Sequence, residues 1–124
     1  MFNSKLSVYL LKLQNGKYYV GKSFNPLKRF EQHLSGKGAV YTKKYKPIKI
    51  EKIYENVCSY DEDKYVKKYM NKYGIDNVRG GSYCNNTLTE YEKIFIKKEL
   101  DTANNKCYIC GDSNHFAKNC FLIN

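Results

Sequence analysis

The sequence predicts an α+β fold, a small three-stranded antiparallel β-sheet flanked by helices, with a short cysteine-rich segment at its C-terminus. Three observations predict it. Two runs of β-forming residues, 6–13 and 18–21, are separated by Asn15-Gly16, the dipeptide that most strongly favours a hairpin turn. Three later stretches place apolar residues at helical spacing between start and stop signals. Beyond a polar string at 102–106 the composition changes to cysteines and a histidine.

The hairpin accounts for the first two strands. Asn25 is a good N-cap and Pro26 a good first helical residue, and Leu27, Phe30 and Leu34 repeat at helical spacing up to Gly36. A first helix is therefore expected over 26–35. Residues 36–45 are basic, contain glycine and show no period, so they read as a surface loop. After Pro47, rough alternation through Ile48, Ile50 and Tyr54 gives a third strand over 48–55. Ser59 and Glu62 have capping-box spacing, and Tyr65, Val66, Tyr69, Met70 and Tyr73 mark one face of a second helix over 60–73, closed by Gly74. A loop over 75–84 leads to another capping-box pair, Thr87 and Glu90. A third amphipathic helix follows through Leu88, Tyr91, Ile94, Phe95 and Leu100. The expected organisation is a domain over 1–101, a linker over 102–106 and a separate segment over 107–120.

A chain of 124 residues has room for one modest core and an appendage, which excludes two large domains. Its 22 Lys+Arg outnumber 12 Asp+Glu, and a formal charge of +10 points to a polyanionic partner. Thirteen Tyr and six Phe lie among those cations, a mixture that suits bases and phosphates better than lipid headgroups. Nucleic acid is the expected partner, DNA first and RNA as the alternative; a solvated lysine-rich surface is the competing explanation of the charge. Only Arg29 and Arg79 are arginines, so a planar fork is suspected at both positions. The five cysteines are odd in number and concentrated at one end, unlike a disulfide framework, and imply a reducing intracellular compartment. The apolar run 6–13 is interrupted by Tyr9 and Lys12, is too short to span a membrane and lacks a cleavage site, so neither export nor a membrane anchor is expected.

Cys107, Cys110, His115 and Cys120 stand as C-x2-C-x4-H-x4-C. A segment this short orders itself if those side chains converge on one ion, and three thiolates with one imidazole complete a closed tetrahedral Zn²⁺ site. The pattern, with Gly111 after the second cysteine, resembles the zinc-knuckle family; Asn114 stands where that family commonly has glycine. The resemblance covers residues 107–120. It implies binding of single-stranded nucleic acid with bases stacked on exposed rings, for which Tyr108 and Phe116 are the candidates. Both rings could equally serve to cover a small zinc-centred core.

Ser7-Val8-Tyr9 and Tyr19-Val20-Gly21 face each other across the hairpin, which brings Tyr9 and Tyr19 together. Lys22 follows. Arg29 and His33, four residues apart, share a helix face; with Leu27, Phe30 and Leu34 as the buried side, the helical wheel turns them toward water or a ligand. In this order the residues resemble the GIY-YIG nuclease superfamily over about residues 5–81. Its two name-giving motifs correspond to Ser7-Val8-Tyr9 and Tyr19-Val20-Gly21, and Lys22, Arg29 and His33 match its lysine, helix arginine and following histidine. The stretch Gly38-Ala39-Val40-Tyr41-Thr42 and residues 73–81 are similar to members from large DNA viruses and mobile elements, and Asn77 occupies the place of the family's late asparagine.

The resemblance implies divalent-metal-dependent hydrolysis of phosphodiesters, with Mg²⁺ or Mn²⁺ as cofactor. It implies Tyr19 as the general base and Tyr9 in support, which requires a tyrosine pKa pushed well below about 10 by Lys22, Arg29 and metal-bound water. It implies Arg29 as a bidentate clamp on the scissile phosphate. The sequence departs from the family at the metal-binding glutamate: counting back three residues from Tyr69 gives Val66. Glu62, one turn earlier, is the expected ligand, with Asp63 beside it, although a capping box with Ser59 would also explain a glutamate there. Two functional readings follow. One is an endonuclease that cuts DNA with the knuckle aiding binding; the other is a catalytically inactive nucleic-acid-binding module on the same scaffold. The positive charge argues against a third, a zinc protein that only contacts other proteins.

Overall fold

The computed structural model describes residues 5–107, 109, 110, 118 and 120. Its central strand, β1 (Ser7–Leu13), is buried along nearly its whole length, which is why residues 6–13 read as a continuous apolar run and not as an alternation. β1 pairs antiparallel with β2 (Tyr18–Ser23) and with β3 (Pro47–Tyr54). The connecting turn holds Asn15 at φ 63° and Gly16 at φ 70°, the left-handed pair that the Asn-Gly dipeptide adopts most readily. The three expected strands are present. A fourth, β4 (Val78–Gly80), adds parallel to β2 and gives the order β3-β1-β2-β4.

Register assigns the two faces. Tyr9 pairs with Gly21 and Leu11 with Tyr19, so one face presents Tyr9, Leu11, Leu13 and Tyr19, which form a core with Tyr41. Full burial of each such side chain contributes roughly 1.5–3 kcal/mol. This face is covered by α1 (Pro26–Leu34), capped by Asn25 accepting from the Lys28 amide at 3.2 Å, and by α2 (Val40–Lys44). The opposite face receives α3 (Asp61–Tyr73), whose Val66 and Met70 are buried, whose Tyr73 stacks on Tyr18, and whose Tyr69 hydroxyl hydrogen-bonds that of Tyr54.

Several expectations are corrected. Residues 36–45 are not simply a surface loop, because α2 forms within them and buries Tyr41 and Thr42. The Ser59–Glu62 capping box does not form; α3 begins at Asp61 without a side-chain cap, and the Asp61 carboxylate instead accepts from the Cys58 amide at 2.9 Å. The later capping box lies two residues downstream of Thr87 and Glu90. The Thr89 hydroxyl accepts from the Glu92 amide, and the Glu92 carboxylate from the Thr89 amide, opening α4 (Glu90–Ala103). This helix runs on through Thr102 and Ala103, the start of the string read as linker.

Arg79 is buried as a structural fork. Its guanidinium donates to the carbonyls of Ile75, Val78 and Asn85 at 2.7, 2.8 and 2.9 Å and lies over the Tyr41 ring. The chain divides into two compact units, Met1–Thr87 and Leu88–Asn124. Among the described residues no helix is long and apolar enough to cross a membrane.

Candidate active site

The Tyr9 hydroxyl lies 2.8 Å from Nε2 of His33, and Nδ1 of the same ring lies 2.8 Å from Thr42 Oγ1. The Ala39 amide also donates to Nδ1, at 3.3 Å. The Thr42 hydroxyl in turn donates to the Ala39 carbonyl at 2.9 Å, so Tyr9, His33, Thr42 and Ala39 form one hydrogen-bonded chain. His33 is neutral at pH 7: burial, and secondarily the charge of Arg29, push its pKa down to about 4. Two glycines make room for this arrangement. A Cβ on Gly21 would stand 2.3 Å from the Tyr9 hydroxyl, and one on Gly38 would stand 2.0 Å from Nδ1 of His33.

This geometry corrects the helical wheel drawn for α1 in part. His33 is 1% exposed, whereas Leu27 and Leu34 are 65% and 53% exposed. Of the three apolar residues assigned inward Phe30 packs on the core, and His33 is buried on the same helix because Tyr9, Thr42 and Ala39 together satisfy its imidazole. Arg29 on the same helix is half-buried and donates to Gln32 Oε1 at 2.8 Å.

Both motif tyrosines occupy one face of the sheet, each with its ring inclined to that of His33, at centroid distances of 5.9 Å for Tyr9 and 5.2 Å for Tyr19. Neither hydroxyl is acidified by the protein's own groups. Burial raises the Tyr9 pKa first, and proximity to Tyr19 adds to it; the Arg29 guanidinium opposes through its charge and a hydrogen bond. Tyr19 is pushed up to about 12 by burial and then by Glu62 and Cys84, again with Arg29 opposing.

Lys22, at the far end of β2, and Glu62, on the first turn of α3, share a pocket of about 380 Å³ with Ser59, Tyr60, Asp63, Gly81 and Ser82. The Lys22 ammonium donates to the Ser59 carbonyl at 3.2 Å. Burial raises the Glu62 carboxyl above its ordinary pKa, the charge of Lys22 opposes, Asp63 adds to the rise, and the Lys22 backbone amide supports the charged form by donating to it. Glu62 acts electrostatically on both Tyr9 and Tyr19, which ties the pocket to the tyrosine pair. Asp63 is engaged differently. Its two oxygens accept from the Ser82 amide and hydroxyl at 2.8 and 2.7 Å. Val66 is fully buried in the core.

Asn77 is not brought to this group. Its amide donates to the Tyr73 carbonyl at 2.8 Å and its oxygen accepts from Lys17 at 2.9 Å, which fixes the turn that leads into β4. Val78, next in sequence, pairs with Tyr18 at the opposite end of β2 from Lys22, about 13 Å along the strand. Sequence reasoning missed Thr42, Ala39 and Gly38 as the setting of His33, because aperiodic residues 36–45 gave no sign of an inward turn.

In the second unit the sulfurs of Cys107, Cys110 and Cys120 lie within 4.8 Å of one another, and the Ile109 amide donates to the Cys107 sulfur at 3.4 Å. Sulfurs around a tetrahedral zinc at about 2.3 Å fall within that spread, so the three described thiols suit such an ion. His115, Tyr108 and Phe116 lie outside the described residues.

Residues 5–106 match the GIY-YIG catalytic domain, and residues 105–121 match the zinc knuckle. The chain belongs to the GIY-YIG family. A UPF0213 protein of Fusobacterium nucleatum is 34% identical over 96 residues, covering 73% of this chain and 94% of that protein. A UPF0213 protein of Neisseria meningitidis serogroup C is 47% identical over 45 residues, 36% of this chain and 50% of that one. A UPF0213 protein of Pseudomonas aeruginosa is 58% identical over 33 residues, 27% of this chain and 32% of that one. No solved structure gives a significant match.

Proposed function

We propose that this chain is a divalent-metal-dependent endonuclease that hydrolyses phosphodiester bonds in DNA, with a zinc knuckle aiding nucleic-acid binding. The observation that carries the reading is the hydrogen bond between Tyr9 and His33, with the Arg29 charge acting on Tyr9, beside the pocket of Lys22 and Glu62. The pocket fits a hard cation. It is open and offers one half-buried carboxylate, and Mg²⁺ needs only one or two besides water and phosphate oxygens. Glu62 would hold the ion, since both Asp63 oxygens are taken by Ser82. A bound Mg²⁺ or Mn²⁺ supplies Lewis-acid stabilisation of phosphate charge and a more acidic water.

The chain's own residues supply the rest. Arg29 clamps the scissile phosphate with a planar fork, and Lys22 adds positive charge at the pocket. Tyr19 accepts the proton of the attacking water as a phenolate, a form that the Arg29 charge favours against burial, and Tyr9, hydrogen-bonded to His33, supports it. His33 is a positioning residue that holds and stabilises Tyr9.

Single-turnover cleavage by Tyr9→Phe and Tyr19→Phe variants tests the assignment. Tyr19→Phe should cut at least about 100-fold more slowly, the usual scale for losing a positioned base, with Tyr9→Phe less impaired. Wild-type cutting by Tyr19→Phe would remove Tyr19 from the mechanism. One observation favours the second reading, an inactive binding scaffold: Val66, where counting back from Tyr69 places the carboxylate that the resemblance implies, is buried in the core. The two readings differ in whether any cutting depends on Arg29.

A further inference from the structure

α3 carries a repeat of period four, Lys64-Tyr65, Lys68-Tyr69 and Lys72-Tyr73. Four residues climb about 6 Å and overshoot a full turn by only about 40°, so the lysines form one row along the helix and the tyrosines a second beside it. The rings are interlocked. Tyr73 stacks on Tyr18 at 3.9 Å, Tyr69 lies parallel to Tyr73 at 6.0 Å and hydrogen-bonds Tyr54, and Tyr54 stacks on Tyr65 at 4.1 Å. The ammonium groups sit against the same rings. Lys64 is 5.2 Å from the Tyr65 centroid, Lys72 is 5.2 Å from Tyr73, and Lys68 is 5.5, 5.7 and 5.9 Å from Tyr54, Tyr65 and Tyr69. Lys52 of β3 extends the row, 5.4 Å from Tyr54.

This arrangement works against the helix. Lys68 has lysines both four residues before and four after it, a like-charge spacing that destabilises a helix, and no Asp or Glu occurs between residues 64 and 75. A polyanion lying along the row would relieve that repulsion. The rings are occupied by one another and by ammonium groups, so they are not platforms for bases. What remains on offer is a line of positioned cations.

We propose that this lysine–tyrosine ridge on α3 binds the phosphodiester backbone of duplex DNA without sequence preference, holding the duplex along the helix whose first turn carries Glu62. The inference rests on the nuclease reading and adds a second contact surface to it. From Lys64 to Lys72 the row is about 12 Å long, the axial length of some three to four phosphates of one strand.

The test is binding of a fluorescent duplex by the full chain, without added divalent ion, across a salt series. Wild type is compared with the ridge variant Lys64→Gln, Lys68→Gln, Lys72→Gln and with Lys28→Gln, Lys37→Gln, Lys43→Gln, which removes the same charge from the other side of the sheet. Each lost phosphate contact lowers the slope of log affinity against log salt by about 0.9, so the ridge variant should lose between about 2 and 3. Between about 50 and about 200 mM salt, wild-type affinity should then fall about 40-fold more than that of the ridge variant. The control should keep most of the wild-type slope. Melting of the ridge variant should be unchanged or higher; should it be lower, Lys68→Gln alone gives the same test with a slope change near 1. A ridge variant with the wild-type slope, or a control that loses as much, would overturn the ridge while leaving the nuclease reading intact. A wild type that does not bind duplex would overturn both.

Discussion

His33 is buried, neutral and hydrogen-bonded at both ring nitrogens, which makes stability depend on pH. Its folded pKa, about 4, lies below the ordinary 6.5, so the unfolded chain takes up a proton first as pH falls. The contribution of the neutral ring is therefore complete above about pH 6.5 and is lost as pH falls through about 4, an effect on the order of 3 kcal/mol. Urea midpoints should fall more steeply between about pH 7 and about pH 4.5 in wild type than in His33→Gln. Parallel curves would remove His33 as the cause. Arg29→Lys keeps charge and loses the fork, so cutting should drop at least about 100-fold while duplex affinity changes little; equal loss of both would contradict the clamp. Motif order in the sequence picked out Tyr9, Tyr19, Lys22, Arg29 and His33 as candidates. The burial of His33 was not legible, because a helical wheel ranks faces by apolarity and cannot anticipate that Tyr9, Thr42 and Ala39 satisfy an imidazole placed inward with Phe30.

On α3 two adjacent carboxylates have different work. Glu62 forms no capping box, so Glu62→Gln should shift stability by less than about 0.5 kcal/mol while metal-dependent cleavage collapses. Asp63→Asn weakens two hydrogen bonds to Ser82 and should cost about 1–2 kcal/mol with cleavage largely kept. Thermal melts beside metal titrations of activity separate the two, and a silent Glu62→Gln would move the metal elsewhere. α1 and the hairpin were readable because each had a cap or turn dipeptide, and α3 because Val66, Tyr69 and Met70 repeat at helical spacing even though its expected capping box does not form. β4 was not, since three residues carry no period. The cap of α4 was ambiguous because Thr87 and Thr89 each stand three residues before a glutamate; Leu88, buried, sits just outside the helix when Thr89 is the cap.

For the whole molecule, zinc and cutting should be separable. Native mass spectrometry should find one zinc per chain, absent in Cys110→Ser. That variant should bind DNA more weakly yet still cut at high protein concentration, with the sheet unit unfolding cooperatively as in wild type. Loss of that transition would mean that the two units do not fold independently. The clustering of Cys107, Cys110 and Cys120 was legible from spacing alone, because donors so close together in so short a stretch have few other uses. The net charge of +10 named a polyanion but not where it binds, since a count of lysines carries no geometry.

The central claim, that this GIY-YIG chain cuts DNA through the group around Arg29, is tested most directly by nicking of supercoiled plasmid with Mg²⁺ or Mn²⁺. Wild type should convert supercoiled to nicked and linear DNA only when the ion is present, and Arg29→Ala, purified alongside and equally folded, should leave the plasmid intact. Plasmid left intact by wild type, or cut equally by Arg29→Ala, would contradict it.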